Sequence, residues 1–175
     1  MAQPTKARGL YWAFFGLLML LPLLIGCPGG EGNVARKQTK EPEITVYFHE
    51  TKERKTMSIE DYLLGVVAGE MRPDWPVEAY AAQAIVARTF TMDFIADGGT
   101  KEEHNTDIST DEEEAQAYNA AAITPEIRRA VEMTKGQVMT YRGRYVKGWF
   151  SASCGGRTAL ARDGLGYKEK EPAYM

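Results

Sequence analysis

The feature that most constrains the fold is a long alanine-rich segment between two strong helix boundaries. It runs from Val77 to about Ala96, with Pro76 just before it and Gly98-Gly99 just after it. Proline is favoured in the first turn of a helix and glycine just past its end, so the segment predicts a single long helix. Because most of its side chains are small, a second helix is expected to pack closely against it.

That second helix is predicted just upstream, from Ser58 to about Glu70. Ser58 and Asp61 have the spacing of a capping box at its start. One face is apolar and the far end is weakened by glycines: Ile59, Tyr62, Leu63, Val66 and Val67, then Gly65 and Gly69. Glu70 is therefore expected at or just past the carbonyl end of the helix, which carries partial negative charge. If Glu70 is also half-buried beside Trp75, its pKa should be raised.

Strands are predicted on both sides of this helical pair. Residues 44–49 alternate between apolar and polar types, which indicates a half-buried strand, and "HETKERKT" would form its turn and return. Thr124-Pro125 opens a short helix that ends near Gly136. After it, "QVMTY" and "RYVKGWFSAS" are predicted as strands joined by a tight turn at Arg142-Gly143. The expected class is α+β, in which two packed helices carry the Glu70 loop and a small antiparallel sheet combines N-terminal and C-terminal strands.

Composition excludes several kinds of ligand. The 175-residue chain has a net charge of −3, and it lacks the dense basic stripe that nucleic-acid binding requires. Residues 101–122 are strongly acidic with few large apolar side chains, which predicts a loop or a solvated face. His49, His104 and Cys154 are too scattered for a metal site. A structural disulfide is not expected, because lipidation of Cys27 would leave Cys154 without an intramolecular partner. We expect no metal and no cofactor.

The first 42 residues predict export and attachment to a membrane. Lys6 and Arg8 precede an uncharged run of 18 residues, the layout of a secretory signal and also near the minimum for an uncleaved membrane anchor. Leu24-Ile25-Gly26-Cys27 resembles the lipobox of bacterial lipoproteins, in which the cysteine is lipidated. Residues 1–26 are therefore a signal peptide or anchor, and residues 27–42 form a flexible linker. Both alternatives place the domain, residues 43–175, outside the cytoplasm on the bacterial cell membrane.

Two polar features outside the acidic segment are candidates for function. Arg88 stands among small residues, so it is expected to pair with Glu70, a backbone carbonyl or an anionic substrate, unless it faces solvent. In "SCGGRT", Gly155 and Gly156 permit positive φ, so this turn could bring amides and small hydroxyls to a ligand. Glu70 itself is either a solvated charge or a lone catalytic acid held over a groove.

Two segments carry a resemblance to a known family. "SIEDYLLGVVAGEMRPDWPVEAYAAQAIVARTF" and "AVEMTKGQVMTYRGRYVKGWFSASCGGRT" resemble the core of the stage II sporulation protein D family, which also contains amidase enhancers of bacterial cell-wall turnover. The resemblance runs from roughly Ile44 to Met175 and implies a protein directed at peptidoglycan. Family members continue beyond the region matching "EPAYM", so the domain is expected to be C-terminally incomplete.

The resemblance also implies roles for individual residues. Glu70 stands where the family has its catalytic glutamate, whose protonated carboxyl donates to a glycosidic oxygen while the C6 hydroxyl of the sugar attacks the anomeric carbon. Such a lytic transglycosylase needs one acid/base and no second carboxylate. The histidine that relatives have before the glycine turn is missing here, which agrees with the absence of a metal site. The implied substrate contacts are Gln83, Arg88, Gln116, Ser153, Gly155 and Gly156.

Three functions remain open at this stage. The first is a membrane-tethered lytic transglycosylase that cleaves peptidoglycan glycan strands with Glu70, with sporulation as one candidate setting. The second is a non-catalytic peptidoglycan-binding protein that activates a cell-wall amidase. The third is a truncated or degenerate protein with a structural role only.

Overall fold

A computed structural model describes residues 36–37, 40–151 and 154–174, and within these ranges it confirms the α+β class. The helices are α1 (Ile59–Glu70), α2 (Val77–Ala96), α3 (Lys101–His104), α4 (Pro125–Met133) and α5 (Ala161–Gly164), with a 3-10 turn at Ala120–Ala122. The strands are β1 (Arg36–Lys37), β2 (Glu43–Phe48), β3 (Glu53–Ser58), β4 (Ile108–Ser109), β5 (Gln137–Val138), β6 (Thr140–Tyr141) and β7 (Arg144–Tyr145). The two predicted helices before and after the Glu70 loop therefore form over the expected ranges.

The largest sheet in the described part of the chain differs from the expected one. It contains three strands in the order β3-β2-β4, with β2 and β3 antiparallel and β4 parallel to β2. The C-terminal strands do not join it, because β6 and β7 pair with each other and β5 pairs with β1. The predicted turn between β6 and β7 is confirmed, since Arg142 and Gly143 both have positive φ, at 50° and 78°.

Part of the acidic segment, residues 101–122, is buried, which its charge pattern does not predict. Ile108 and Ser109 of β4 are fully buried, and Ile108 lies opposite Val46 of β2. The preceding Asp107 accepts hydrogen bonds from the Thr45 amide and hydroxyl, both at 2.6 Å. The expectation of a loop or solvated face holds for most of residues 101–122 but is wrong at β4, because this two-residue strand pairs with β2 and is buried.

Two apolar clusters hold the helices in place. α1 begins as predicted, because the Ser58 hydroxyl accepts a hydrogen bond from the Asp61 amide at 3.1 Å. One cluster packs α1 against the sheet, and the other packs α1, α2 and α4 together. Their fully buried members include Val46, Ile59, Tyr62, Leu63, Val66, Ile108, Val67, Ala84 and Ala130. Burial of this apolar surface fixes the end of α1 relative to the start of α2.

Part of the predicted linker also contacts the domain. β1 falls within residues 27–42 and pairs with β5, and the Glu41 carboxylate lies 2.8 Å from the Lys135 ammonium. Across residues 36–37, 40–151 and 154–174, no helix combines the length and apolar character needed to cross a membrane. The predicted signal or anchor, residues 1–26, and Cys27 lie outside the described residues.

Candidate active site

A cavity opens where α1 ends and α2 begins. The Met71 amide still donates to the Val67 carbonyl at 3.1 Å, but Met71 itself is extended, so the helix stops at Glu70 and the chain turns towards α2. The cavity has a volume of about 640 Å³. It is lined by Glu70, Met71, Arg72, Trp75, Ala79, Gln83, Phe150 and Ser151. Side chains from α1, the 71–76 loop, α2 and the C-terminal segment thus meet at one place.

Gly65 and Gly69 on α1 allow the Ala117–Tyr118 segment to pack closely against the helix near Glu70. A Cβ on Gly65 would lie 2.1 Å from the Tyr118 ring, and a Cβ on Gly69 would lie 2.7 Å from the backbone of Ala117 and Tyr118. The close approach lets the Ala117 amide donate to Glu70 Oε1 at 2.9 Å. Gly65 and Gly69 are therefore packing residues that help orient Glu70, in addition to weakening the helix as the sequence indicates.

The surroundings of Glu70 favour its neutral form. The side chain is half-buried, and burial raises the pKa of its carboxyl; the Ala117 hydrogen bond opposes this rise and the negative charge of Glu112 adds to it. Within the described ranges, Glu70 forms no ion pair with a cation. The raised pKa predicted from the position of Glu70 in the sequence is confirmed. The largest cause of the raised pKa is burial of the carboxyl away from water.

Part of the cavity wall is formed by Phe150 and Ser151 of the C-terminal segment. Gly148 permits this approach, because a Cβ there would lie 2.8 Å from the Val86 carbonyl oxygen on α2. Phe150 and Ser151 then line the cavity together with Glu70 at the end of α1, and the Phe150 side chain is exposed. The sequence pattern does not single out Phe150 or Ser151, although both lie within three residues of the start of the predicted glycine turn at Ser153.

Of the two glutamines predicted to contact substrate, one lines the cavity. Gln83 follows Ala79 by one turn of α2, is more than nine-tenths buried, and has no hydrogen-bond partner for Nε2 in the described part of the chain. Gln116 is buried elsewhere, and its Oε1 accepts from the Thr91 hydroxyl at 3.1 Å. Gln116 is nevertheless the chain neighbour of Ala117, whose amide holds Glu70.

Arg88 is not brought to the cavity, because its side chain is fully enclosed at the other end of α1. Its Nε and Nη2 donate to the two carboxylate oxygens of Glu60 at 3.0 and 2.6 Å, and Nη1 donates to the carbonyls of Ala84 and Gln137. Glu60 and Glu70 are ten residues apart, or about 15 Å along the helix. The expected backbone-carbonyl contacts are present, but the carboxylate partner is Glu60, which the sequence pattern does not reveal.

Gly155 and Gly156 of the glycine turn are not among the residues that line the cavity. Gly155 and Gly156 have φ of 58° and 94° and are exposed, and an added Cβ would meet open space at both positions. Ser153 lies outside the described residues, and Cys154 is exposed. Among the residues described, no three His, Cys, Asp or Glu side chains are close enough together to hold a metal ion.

The sequence of this chain is similar to a known protein family over the region that forms α1 and α2. The sequence model of the family described as "Stage II sporulation protein" matches residues 47–141, which is more than half of the chain. The chain belongs to the stage II sporulation protein D family. The matched region contains α1, the Glu70 loop and α2, and it ends at β6.

Three relatives illustrate the range of the family. The chain is 38% identical over 111 residues to an uncharacterized protein of Brachyspira hyodysenteriae, covering 63% of this chain and 29% of that protein. It is 33% identical over 101 residues to the amidase enhancer of Bacillus subtilis, covering 58% and 13%. It is 27% identical over 141 residues to the stage II sporulation protein D of Bacillus amyloliquefaciens, covering 73% and 41%. The chain thus spans less than half the length of each of these relatives, whose names link the family to sporulation and to amidase enhancement.

Proposed function

We propose that this member of the stage II sporulation protein D family acts on the bacterial cell wall as a lytic transglycosylase that cleaves peptidoglycan glycan strands. The observation that carries the proposal is the half-buried Glu70 carboxyl, whose pKa is raised by burial and which lines a cavity large enough for sugar residues. A carboxyl that holds its proton above the usual pH range can act as a general acid. Glu70 is the residue that would donate that proton.

The contacts of Glu70 support a division of roles between its two oxygens. Oε1 accepts from the Ala117 amide, so Oε2 is left to carry the proton. Oε2 would donate to the glycosidic oxygen, and the bond from that oxygen to the anomeric carbon would break. The Glu70 carboxylate would then accept the proton of the C6 hydroxyl. At the same time the C6 oxygen would form a bond to the anomeric carbon that the glycosidic oxygen has left. The products would be a 1,6-anhydro end and a new hydroxyl end, with Glu70 protonated again.

The number of carboxylates in the cavity favours this route over hydrolysis. Glycosidases that use water or a covalent intermediate place two carboxylates across the scissile bond. Among the described residues that line the cavity, Glu70 is the one acid. A reaction in which the sugar supplies its own nucleophile needs no second carboxylate.

The test is digestion of purified peptidoglycan glycan strands by the full chain, with products analysed by mass spectrometry. The wild type is expected to produce 1,6-anhydro ends, whose mass is lower by one water than that of hydrolytic ends. Glu70→Gln should lower the rate by about 10²–10⁴-fold, the usual contribution of general acid–base catalysis. Glu78→Gln, an exposed glutamate in the first turn of α2, is the matched control and should retain the rate. Hydrolytic ends, or equal rates for Glu70→Gln and wild type, would refute the proposal.

A second candidate function is activation of a cell-wall amidase, supported by the similarity to the Bacillus subtilis amidase enhancer. In that case the cavity would hold glycan without cleaving it. The same preparations, added to a purified cell-wall amidase with intact peptidoglycan, separate the two functions. Stimulation that is equal for wild type and Glu70→Gln, with no anhydro ends from either, would favour the enhancer.

We also propose that the protein is tethered outside the cytoplasm through lipidation of Cys27. The supports are the sequence features of residues 1–27: two basic residues, an uncharged run and the lipobox-like tetrapeptide. Growth with labelled palmitate should label the wild type and leave Cys27→Ser unlabelled. Equal labelling of both proteins would contradict the assignment, and unlabelled protein that stays in the membrane fraction would favour the plain anchor.

A further inference from the structure

Arg72 is a cation that lines the Glu70 cavity and has no ion-pair partner in the part of the chain that the structure describes. Its side chain is exposed and lines the cavity, and within residues 40–151 and 154–174 it forms no ion pair with a carboxylate. In the same ranges the Glu70 carboxyl accepts its hydrogen bond from the Ala117 amide and not from the Arg72 guanidinium. A cation that has no carboxylate partner among the described residues makes this cavity locally attractive to an anion, in a chain whose net charge is otherwise −3.

The backbone of residues 72–75 is held in place by hydrogen bonds to the Tyr80 hydroxyl on α2. The Tyr80 hydroxyl donates to the Arg72 carbonyl at 3.2 Å and accepts from the Trp75 amide at 3.3 Å, and the Tyr80 side chain is buried. One hydroxyl on α2 therefore ties both ends of the 72–75 stretch. The position from which the guanidinium reaches into the cavity is set by the fold rather than by a free loop.

Aromatic side chains flank this cation. Trp75 from the loop and Phe150 from the C-terminal segment both line the cavity and are exposed, with 50% and 41% of their surfaces accessible. Exposed aromatic rings on a cavity wall offer apolar faces to a flat ligand. Combined with Arg72, they fit a ring that carries a negatively charged substituent better than a wholly neutral saccharide.

We propose that Arg72 selects substrates in which a sugar bound at the Glu70 cavity carries a carboxylate, and that Trp75 supports that sugar. The inference rests on the proposed glycan-directed function and adds the chemical property by which the substrate is chosen. Arginine suits this role because its planar guanidinium binds a carboxylate through two parallel hydrogen bonds. The carboxylate can come from an acidic ether substituent of the sugar itself or from a peptide attached to that substituent.

Binding is measured by calorimetry with the full chain carrying Glu70→Gln, so that the ligand is not cut. The ligands are peptidoglycan oligosaccharides without peptides, the same oligosaccharides with their carboxyls converted to neutral amides, oligosaccharides that retain peptides, and neutral chitin oligosaccharides. Adding Arg72→Gln should weaken binding of the carboxylate-bearing ligands at least about tenfold and leave the two neutral ligands unchanged. Arg72→Lys should restore part of the loss. Arg129→Gln, an exposed arginine on α4 outside the cavity, is the matched control and should change neither.

The two carboxylate sources are distinguished by which acidic ligand depends on Arg72. Dependence confined to the peptide-free oligosaccharides assigns the sugar substituent, and dependence confined to the peptide-bearing ones assigns the peptide. The inference is overturned if Arg72→Gln weakens acidic and neutral ligands equally, if it weakens neither, or if no oligosaccharide binds. Cleavage is measured separately with wild type, so charge-selective binding without anhydro products would refute the lytic function while supporting the role of Arg72.

Discussion

Glu60 and Glu70 stand at opposite ends of α1 and have opposite environments. Glu60 lies in the first turn, where the helix end favours an acid, and it receives two hydrogen bonds from Arg88 and one from the Gly136 amide at 3.1 Å. Glu70 is the last residue of the helix, and among the described residues it receives one hydrogen bond, from the Ala117 amide, and has no cationic partner. The same side chain is thus a paired structural anion at one end and a candidate proton donor at the other.

The difference shows that burial alone does not determine what a carboxylate does. Glu60 is the more buried of the two, with 8% of its surface accessible, yet it is matched by a guanidinium that is fully enclosed. Glu70 is only partly buried, lines a cavity, and lacks such a partner among the described residues. The comparison predicts that changes at the Glu60 end will affect stability and changes at the Glu70 end will affect chemistry.

The largest effect on stability is expected from Arg88→Met. Removing the guanidinium leaves Glu60 as a buried, unpaired charge, a change that costs about 3–5 kcal/mol in buried ion pairs. Urea denaturation measures the loss, and Arg129→Met on the exposed face of α4 is the control, with an expected change within about 0.5 kcal/mol. Adding Glu60→Gln to Arg88→Met should recover part of the stability. Equal denaturation midpoints for Arg88→Met and wild type would show that the pair does not anchor this end of α1.

An intermediate effect is expected from Gly69→Ala. The new methyl group would displace the backbone of Ala117 and Tyr118, and the cost of overpacking should exceed the gain in helix propensity, giving a net loss of about 1–2 kcal/mol. Glycan cleavage should fall as well, since the Ala117 amide that orients Glu70 moves. Gly164→Ala on α5 is the control, because its methyl group would meet only an ordinary contact at 3.4 Å. Full activity and stability of Gly69→Ala would mean that the close approach does not position Glu70.

A smaller loss is expected from Ser58→Ala. Its hydroxyl caps the end of α1 that carries Glu60, and loss of such a cap costs about 1 kcal/mol. Thermal unfolding should show the decrease, and Ser58→Thr, which keeps the hydroxyl, should restore most of it. Glycan binding should be unchanged in both variants, because the cavity is at the other end of the helix. A loss of binding without a loss of stability would contradict the separation of the two ends.

The smallest effect is the pH dependence of stability that Glu70 contributes. Because the pKa of Glu70 is raised in the folded state, its contribution is complete below the unfolded pKa and is lost as pH rises through the folded pKa. Glu70→Gln should therefore match wild type at low pH and be more stable at neutral pH. Glu126→Gln should show the opposite sign, since hydrogen bonds from its own backbone amide and from Thr124 lower the pKa of Glu126. Thermal unfolding from pH 3 to pH 8 measures both, and a neutral-pH loss for Glu70→Gln would reverse the sign predicted here.

Local features of the fold were predictable from the sequence because short-range signals specify them. The limits of α2 follow from Pro76 and the two glycines, and the hairpin turn follows from Arg142-Gly143. The position of Glu70 at a helix end follows from the helical pattern of α1. These features depend on residues within about one or two turns of each other, so their signals lie together in the chain.

Features that depend on distant residues were not predictable in the same way. β4 has two residues in an acidic segment and is defined by its pairing with β2, about sixty residues earlier. The ion pair of Arg88 with Glu60 depends on how α1 and α2 cross, and the sequence supplied several equally reasonable partners. The role of Ala117 could not be anticipated, because its contribution is a backbone amide that any residue except proline possesses.

The most direct measurement is the pKa of Glu70 itself, followed by carboxyl carbon NMR on the labelled full chain. The Glu70 signal is identified as the one that Glu70→Gln removes, and it is followed from pH 3 to pH 8. We predict a midpoint above the ordinary glutamate value, set by burial beside the cavity. A midpoint at or below the ordinary value would contradict the account, because Glu70 would then have no proton to donate at the pH where the protein works.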